Sequence, residues 1–238
     1  MKRTLTAITG TFLLVTFTSC LFIGNSIEGS GNITEQIRRV GNFTGIKASG
    51  GLNVYISQGD TQKVMVRADD NLINTIQTDV RNGVLTVVNR KLINGATSEK
   101  VFVTVAKLDK ITSSAGSNVY SQTVINSEQL ELSSFAGSNM DLKIVTGDLE
   151  ASASAGSNLI LEGEANHCSV SANTGSNIKA EKLKTKTCQA RANTGANIYI
   201  DVEDELDARA GSGANLFYSG VPKRLNVSSS MGGNVIKR

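Results

Sequence analysis

The chain has 238 residues, 24 Lys and Arg against 21 Asp and Glu, and a formal net charge of +3, so its electrostatics point to no nucleic-acid partner. Aromatic residues make up 5%, Trp is absent, Pro occurs once and Gly 23 times, a composition unlike that of a two-layer enzyme domain. A hydrophobic content of 39% is nevertheless enough to bury a core and argues against disorder.

The first segment reads as an address. Met1-Lys2-Arg3 is a short basic start, and Leu5 to Phe17 is mostly apolar around Phe12-Leu13-Leu14-Val15. Small residues and a cysteine follow, Phe17-Thr18-Ser19-Cys20. A charged start, an apolar run and a small-residue exit form a secretory signal, and the run is too short and interrupted to span a bilayer. The cysteine after the small residues resembles a bacterial lipoprotein processing site. Residues 1–19 are therefore expected to be removed and Cys20 to be acylated, tying the chain to the outer membrane of a Gram-negative envelope on its periplasmic or surface face. Residues 20–41, rich in Gly, Ser and Asn, are expected to be a flexible tether. A single head domain then covers 42–238, with a cap and first coils at 42–112 and regular rungs at 113–238.

Within the cap, Ile46-Lys47-Ala48-Ser49, Leu52 to Ile56, Val64-Met65-Val66 and Lys100 to Val105 have strand character. Asp69-Asp70 before Leu72, Ile73 and Ile76 predicts a short helix, because Asp at a helix start accepts unpaired N–H groups. Asn82-Gly83 between Val80 and Val84 predicts a hairpin turn.

From residue 113 the chain repeats. A Gly-[Ser/Ala/Gly]-Asn tripeptide recurs seven times, from Gly116-Ser117-Asn118 to Gly232-Gly233-Asn234, with the glycines 21, 19, 19, 20, 18 and 19 residues apart. Such a period marks a solenoid. Seven residues before each glycine after the first stand Leu130, Leu149, Cys168, Cys188, Leu206 and Leu225, and five before stand Leu132, Ala151, Val170, Ala190, Ala208 and Val227. Three after come Val119, Met140, Leu159, Ile178, Ile198, Leu216 and Val235, with polar residues between. Alternation along each turn and alignment between turns predict an all-β fold, a parallel β-solenoid with these columns inward. At roughly 4.8 Å per rung, six spacings give a rod about 29 Å long. Each turn is expected to hold two strands joined at the Gly-x-Asn corner and, elsewhere, by a looser charged loop. Glycine supplies a positive φ at the corner, Asn tolerates the left-handed region, and stacked Asn side chains can hydrogen-bond as a ladder. The terminal Lys237 and Arg238 read as cations that blunt an edge.

These residues together resemble the bacterial head GIN domain family, which carries an auto-transporter adhesin label. The resemblance rests on Phe43-Thr44-Gly45-Ile46, Gly51-Leu52-Asn53-Val54, Asp70-Asn71-Leu72 before Asn82-Gly83, and the Gly-Ser-Asn steps. It covers about residues 41 to 238. It implies a parallel β-helix-like fold on a secreted or lipid-anchored protein with no assigned catalytic residues.

Four constellations could carry chemistry. Cys168 and Cys188, one repeat apart at one offset, are either a disulfide in an oxidising envelope or two small core residues in a leucine column. With only the adjacent His167, the single histidine, they fall short of a metal site, and no cofactor is expected. Asp201, Glu203, Asp204, Glu205 and Asp207 lack calcium-loop spacing. They read instead as the middle of a basic–acidic–basic stack with Lys182, Lys184, Lys186, Lys223 and Arg224. Last, four residues after each glycine lie Tyr120, Asp141, Ile160, Lys179, Tyr199, Phe217 and Ile236, outward by strand parity. This stripe, five of whose seven members are aromatic or branched apolar and whose candidate contact residues are Tyr120, Ile160, Tyr199 and Phe217, is either a contact surface or a column packing on itself.

The functional expectation is a non-catalytic, lipid-anchored envelope protein whose partners are the membrane and an envelope glycan or protein. A scaffolding role is the first alternative, and a β-helix carbohydrate-active enzyme, which clustered carboxylates on one face would mark, is the second.

Overall fold

The structure, a computed structural model, describes residues 26–238. Cys20 and the signal segment lie outside the described residues. No helix occurs among them; seventeen strands form one continuous sheet wound into a β-solenoid.

The first strands are β1 (Ile33–Arg38), β2 (Gly45–Ser49), β3 (Asn53–Gln58), β4 (Lys63–Asp69), β5 (Ile76–Arg81), β6 (Val84–Asn89) and β7 (Glu99–Val105). Three shorter and four long strands follow: β8 (Lys110–Ser113), β9 (Asn118–Ser121), β10 (Ile125–Ser134), β11 (Asn139–Ala153), β12 (Asn158–Ala172), β13 (Asn177–Ala192) and β14 (Asn197–Ala210). The last are β15 (Asn215–Ser219), β16 (Arg224–Ser229) and β17 (Asn234–Lys237). From β8 onward each strand pairs in parallel with its counterpart one turn on, Leu149 opposite Cys168 and Asn158 opposite Asn177. The inward columns are the core: Leu130, Leu149, Leu206, Met140, Leu159, Ile178, Ile198 and Leu216 are all buried.

The corner has a sharper chemistry than the sequence suggests. Its left-handed residues are the glycine and the residue before it, as in Ala155 (φ 51°) and Gly156 (φ 72°) or Thr174 (φ 52°) and Gly175 (φ 67°). Positive φ at both central positions is the pattern of a type I′ turn. Asn is not left-handed; it opens the next strand. The middle residue of the first six tripeptides is buried, and the hydroxyls of Ser138, Ser157 and Ser176 span two rungs. Ser157 Oγ accepts from the Ser154 N–H at 3.0 Å and donates to the Ser134 carbonyl of the preceding rung at 2.7 Å.

The asparagine ladder is unbroken. Each Nδ2 donates to the Oδ1 of the rung before, at 2.8–3.1 Å, from Asn234 through Asn215, Asn197, Asn177, Asn158, Asn139 and Asn118 to Asn53. Asn53 is a member that the repeat count omits.

In the middle rungs the charged side of the turn is not a loop: the long strands β11 to β14 bend there and stay paired, whereas 122–124 and 220–223 are the expected loops in the first and last turns. Rung lengths of 19, 20 and 18 residues are absorbed as register shifts between Ile160 and Glu162 and between Ala180 and Lys184. Gly163 (φ 120°) makes one such bend, because a Cβ there would run into the Ile144 carbonyl.

At the N-terminal end, chain order and spatial order part. β2–β3 is the first regular rung, stacked on β8–β9, while β6–β7, later in sequence, lies outside it. The antiparallel strands β5, paired with β6, and β4 and β1, stacked on β7, finish that end. Two expectations need correction. Residues 33–38, assigned to the tether, are strand β1, held against β4. The segment after Asp69 is one turn, Ile73 N–H to Asp69 O at 3.0 Å, before β5 begins. The hairpin at Asn82-Gly83 forms, with φ of 51° and 73°.

Asp69 is not a helix cap but a buried clamp. Its carboxylate accepts N–H groups from Gly31 at 3.0 Å, Thr97 at 3.3 Å and Ser98 at 2.9 Å. Burial pushes its pKa up, but the three backbone donors outweigh that and hold it below the usual carboxylate range. At the other end no described strand lies beyond β16 and β17. Leu225 and Val227, inward by offset, are therefore 48% and 44% exposed.

Two stability outcomes follow from this packing. Leu149→Ser should cost about 3 kcal/mol or more, and the outward Glu150→Ser under about 0.5 kcal/mol, read by denaturant unfolding. Equal losses would show that the parity is reversed. Asp69→Asn leaves backbone donors facing an amide and should cost about 2 kcal/mol at neutral pH. Because the folded pKa is depressed, the carboxylate's contribution is complete above the unfolded value near 3.8 and fades as pH falls through the folded one. The gap between wild type and variant should therefore narrow in acid; a gap constant with pH would remove the clamp from the account.

Candidate functional site

The residues four after each glycine lie outward and partly exposed, in register from rung to rung: Tyr120, Asp141, Ile160, Lys179, Tyr199, Phe217 and Ile236. The column continues past the repeats. Tyr55 stands beside Tyr120, Phe102 beside Tyr55, Met65 beside Phe102 and Ile37 beside Met65. Eleven strands thus contribute one residue each, and Asp141 and Lys179 are its only charged members.

The rings form two stacks. Tyr55 lies 5.2 Å from Phe102 and 5.3 Å from Tyr120 between ring centroids, with interplanar angles of 18° and 23°. Tyr199 and Phe217 stack at 4.8 Å and 10°. Parallel strands in register impose this, since like offsets sit one strand spacing apart. Ring faces are occupied by neighbouring rings, so edges and tyrosine hydroxyls look outward. Burial, and then Tyr55 and Asp141 beside it, push the Tyr120 hydroxyl up, which keeps it a proton donor. The Arg238 guanidinium sits 4.5 Å from the Phe217 ring centroid and 4.8 Å from that of Tyr199. It lies over the second stack as a cation–π partner, a role unlike the edge blunter expected from its position.

Tyr55 could have been found in the sequence, because it stands four residues after Gly51 in Gly51-Leu52-Asn53. Phe102 carries no such signal; only the pairing of β7 with β3 places it.

Cys168 and Cys188 face each other in register as buried free thiols. The Cys168 side chain, and then burial, push the Cys188 thiol well up, which keeps it protonated and unreactive. Around Asp201–Asp207, Lys223 bonds Asp204 at 2.6 Å and Arg224 pairs with Glu205, as the stack predicts. Lys182 instead turns back to Glu162 at 2.7 Å. Among the described residues no three His, Cys, Asp or Glu side chains converge as metal ligands.

The sequence matches the family described as "Putative auto-transporter adhesin, head GIN domain" over residues 42–222. The chain belongs to the head GIN domain family. No curated protein is detectably similar in sequence. Solved structures share the fold. A putative adhesin from Bacteroides fragilis NCTC 9343 is 20% identical with a TM-score of 0.83, over 90% of this chain and all of that one. A putative adhesin from Parabacteroides merdae ATCC 43184 is 18% identical with a TM-score of 0.73, over 90% and 100%. A putative lipid binding protein from Parabacteroides distasonis ATCC 8503 is 16% identical with a TM-score of 0.69, over 90% and 99%. At these identities the likeness establishes the head GIN fold.

Proposed function

We propose that this head GIN protein is a non-catalytic adhesive module of the cell envelope, anchored by a lipid on Cys20 and binding an envelope glycan or protein through its outward stripe. One observation carries the reading: a continuous, partly exposed column of mostly apolar side chains, containing two ring stacks, on a body whose pairing makes it rigid. An ordered apolar column on a surface is a contact surface that needs no induced fit. Membership of a family described as adhesins supports the same role, and that family suggests an envelope or surface location. The anchor rests on the sequence Thr18-Ser19-Cys20.

The full-length Tyr199→Ser/Phe217→Ser variant should keep its melting midpoint within a few degrees, because surface changes are small in stability. It should lose most of the wild type's retention on immobilised outer-membrane extract. Full retention with an unchanged midpoint would remove the stripe from function, and a collapsed midpoint would make the rings structural. Cys20→Ala should abolish incorporation of radioactive fatty acid and move the protein from the membrane to the soluble fraction. Labelling that persists would locate the acyl chain elsewhere or deny it.

A further inference from the structure

The face on the other side of the corner carries a trough that the stripe does not use. It has a volume of about 990 Å³ and runs along the solenoid axis from β8 to β14, five rung steps or about 24 Å. Two outward rows form its walls. One is Gln129, Asp148, His167, Thr187 and Glu205, aligned strand to strand. The other, two residues on, is Lys110, Glu131, Glu150, Ser169, Gln189 and Asp207. Between them the floor is the backbone of the buried Leu130, Leu149, Cys168 and Cys188.

We propose that this trough binds an extended, polyhydroxylated saccharide chain lying along the solenoid axis. The proposal goes beyond the stripe's adhesive role: it adds a second binding surface, separate from the stripe, and names its ligand class. Three features carry it. First, the trough is long and open, which suits a polymer segment rather than an enclosed small molecule.

Second, every wall side chain is able to hydrogen-bond, and carboxylate acceptors are mixed with groups that also donate. Asp148 is followed by His167, whose Nδ1 lies 2.9 Å from Thr187 Oγ1, and Glu150 by Ser169 and Gln189. A carboxylate accepts two hydrogen bonds side by side, which a vicinal diol supplies, and amides and hydroxyls serve both ways. Each rung adds one polar side chain to each wall, at a spacing close to the length of one pyranose unit, so every successive sugar meets hydrogen-bonding groups on both sides.

Third, half of the trough's six carboxylates are already paired. Lys110 holds Glu131 at 2.7 Å, Arg209 holds Asp207 at 3.0 Å, and Arg224 pairs with Glu205. Asp109, Asp148 and Glu150 have no ion pair among the described residues and are left to accept hydrogen bonds from sugar hydroxyl groups.

The test is calorimetric titration of the full-length protein with cellohexaose, mannohexaose and chitohexaose, and with spermine and polylysine as cationic probes. Saturable binding of at least one hexasaccharide is expected, insensitive to added sodium chloride. It should weaken at least about tenfold in an Asp148→Ala/Glu150→Ala/Gln189→Ala variant whose melting midpoint matches wild type. Tyr199→Ser/Phe217→Ser should leave it unchanged, so loss of the stripe's function and loss of the trough's are separable. Binding of none of the three sugars, binding that survives the triple variant, or binding confined to the cations and abolished by salt would overturn the proposal. Shortening of a bound hexasaccharide, seen by mass spectrometry, would confirm the ligand class and overturn the non-catalytic reading instead.

Discussion

Parallel strands stacked in register set the constraint on which everything else in this molecule depends. Each rung must reproduce the path of the one before it, so whatever chemistry one position needs, the same offset needs in every turn. At the corner that need is severe. Two successive residues take positive φ, the residue after them has no room to grow, and the next must pass a hydrogen bond to its neighbour along the axis. Gly, a small residue and Asn answer these demands in that order. Where a β-branched Thr174 or Thr194 occupies the left-handed site before glycine, it is held there by the ladder on one side and the paired strands on the other.

The same constraint leaves the molecule with unlike ends. At the N-terminal end the chain doubles back, so that β6–β7 covers β2–β3 and antiparallel strands close the stack. Asp69 is the charged centre of this closure. It gathers backbone donors from a segment before β1 and from a loop before β7, groups far apart in sequence with no partners in the parallel ladder. A buried carboxylate is tolerable there because the donors point at it from fixed backbone. The other end has no such closure among the described residues, and the inward residues of its last rung are half-exposed.

Function in such a body falls to columns rather than to constellations. A side chain on one rung is repeated by its neighbours, which favours extended surfaces over sites where three or four groups converge. The two surfaces described here differ in the way the corner separates them. One face carries the apolar and aromatic column, with ring faces occupied and edges outward. The other carries a polar trough with carboxylates, amides and hydroxyls in parallel rows.

Much of this was legible in the sequence, and for a definite reason. A repeat whose period equals one turn writes the inward columns, the outward stripe and the corner directly into residue spacing, so the core leucines, Tyr120, Tyr199, Phe217 and the asparagine ladder follow from offsets alone. Tertiary structure decided what spacing cannot carry. That β6–β7 lies outside β2–β3, that Phe102 extends the stripe, that residues 33–38 join the sheet and that Asp69 clamps two distant segments all depend on pairings between residues with no common period. The trough is intermediate: its two walls are columns of mixed polar residues at fixed offsets, but only the folded chain shows that they line one open groove. Periodicity determines what stacks upon what; the bends and the ends, where the period fails, are settled by the folded chain.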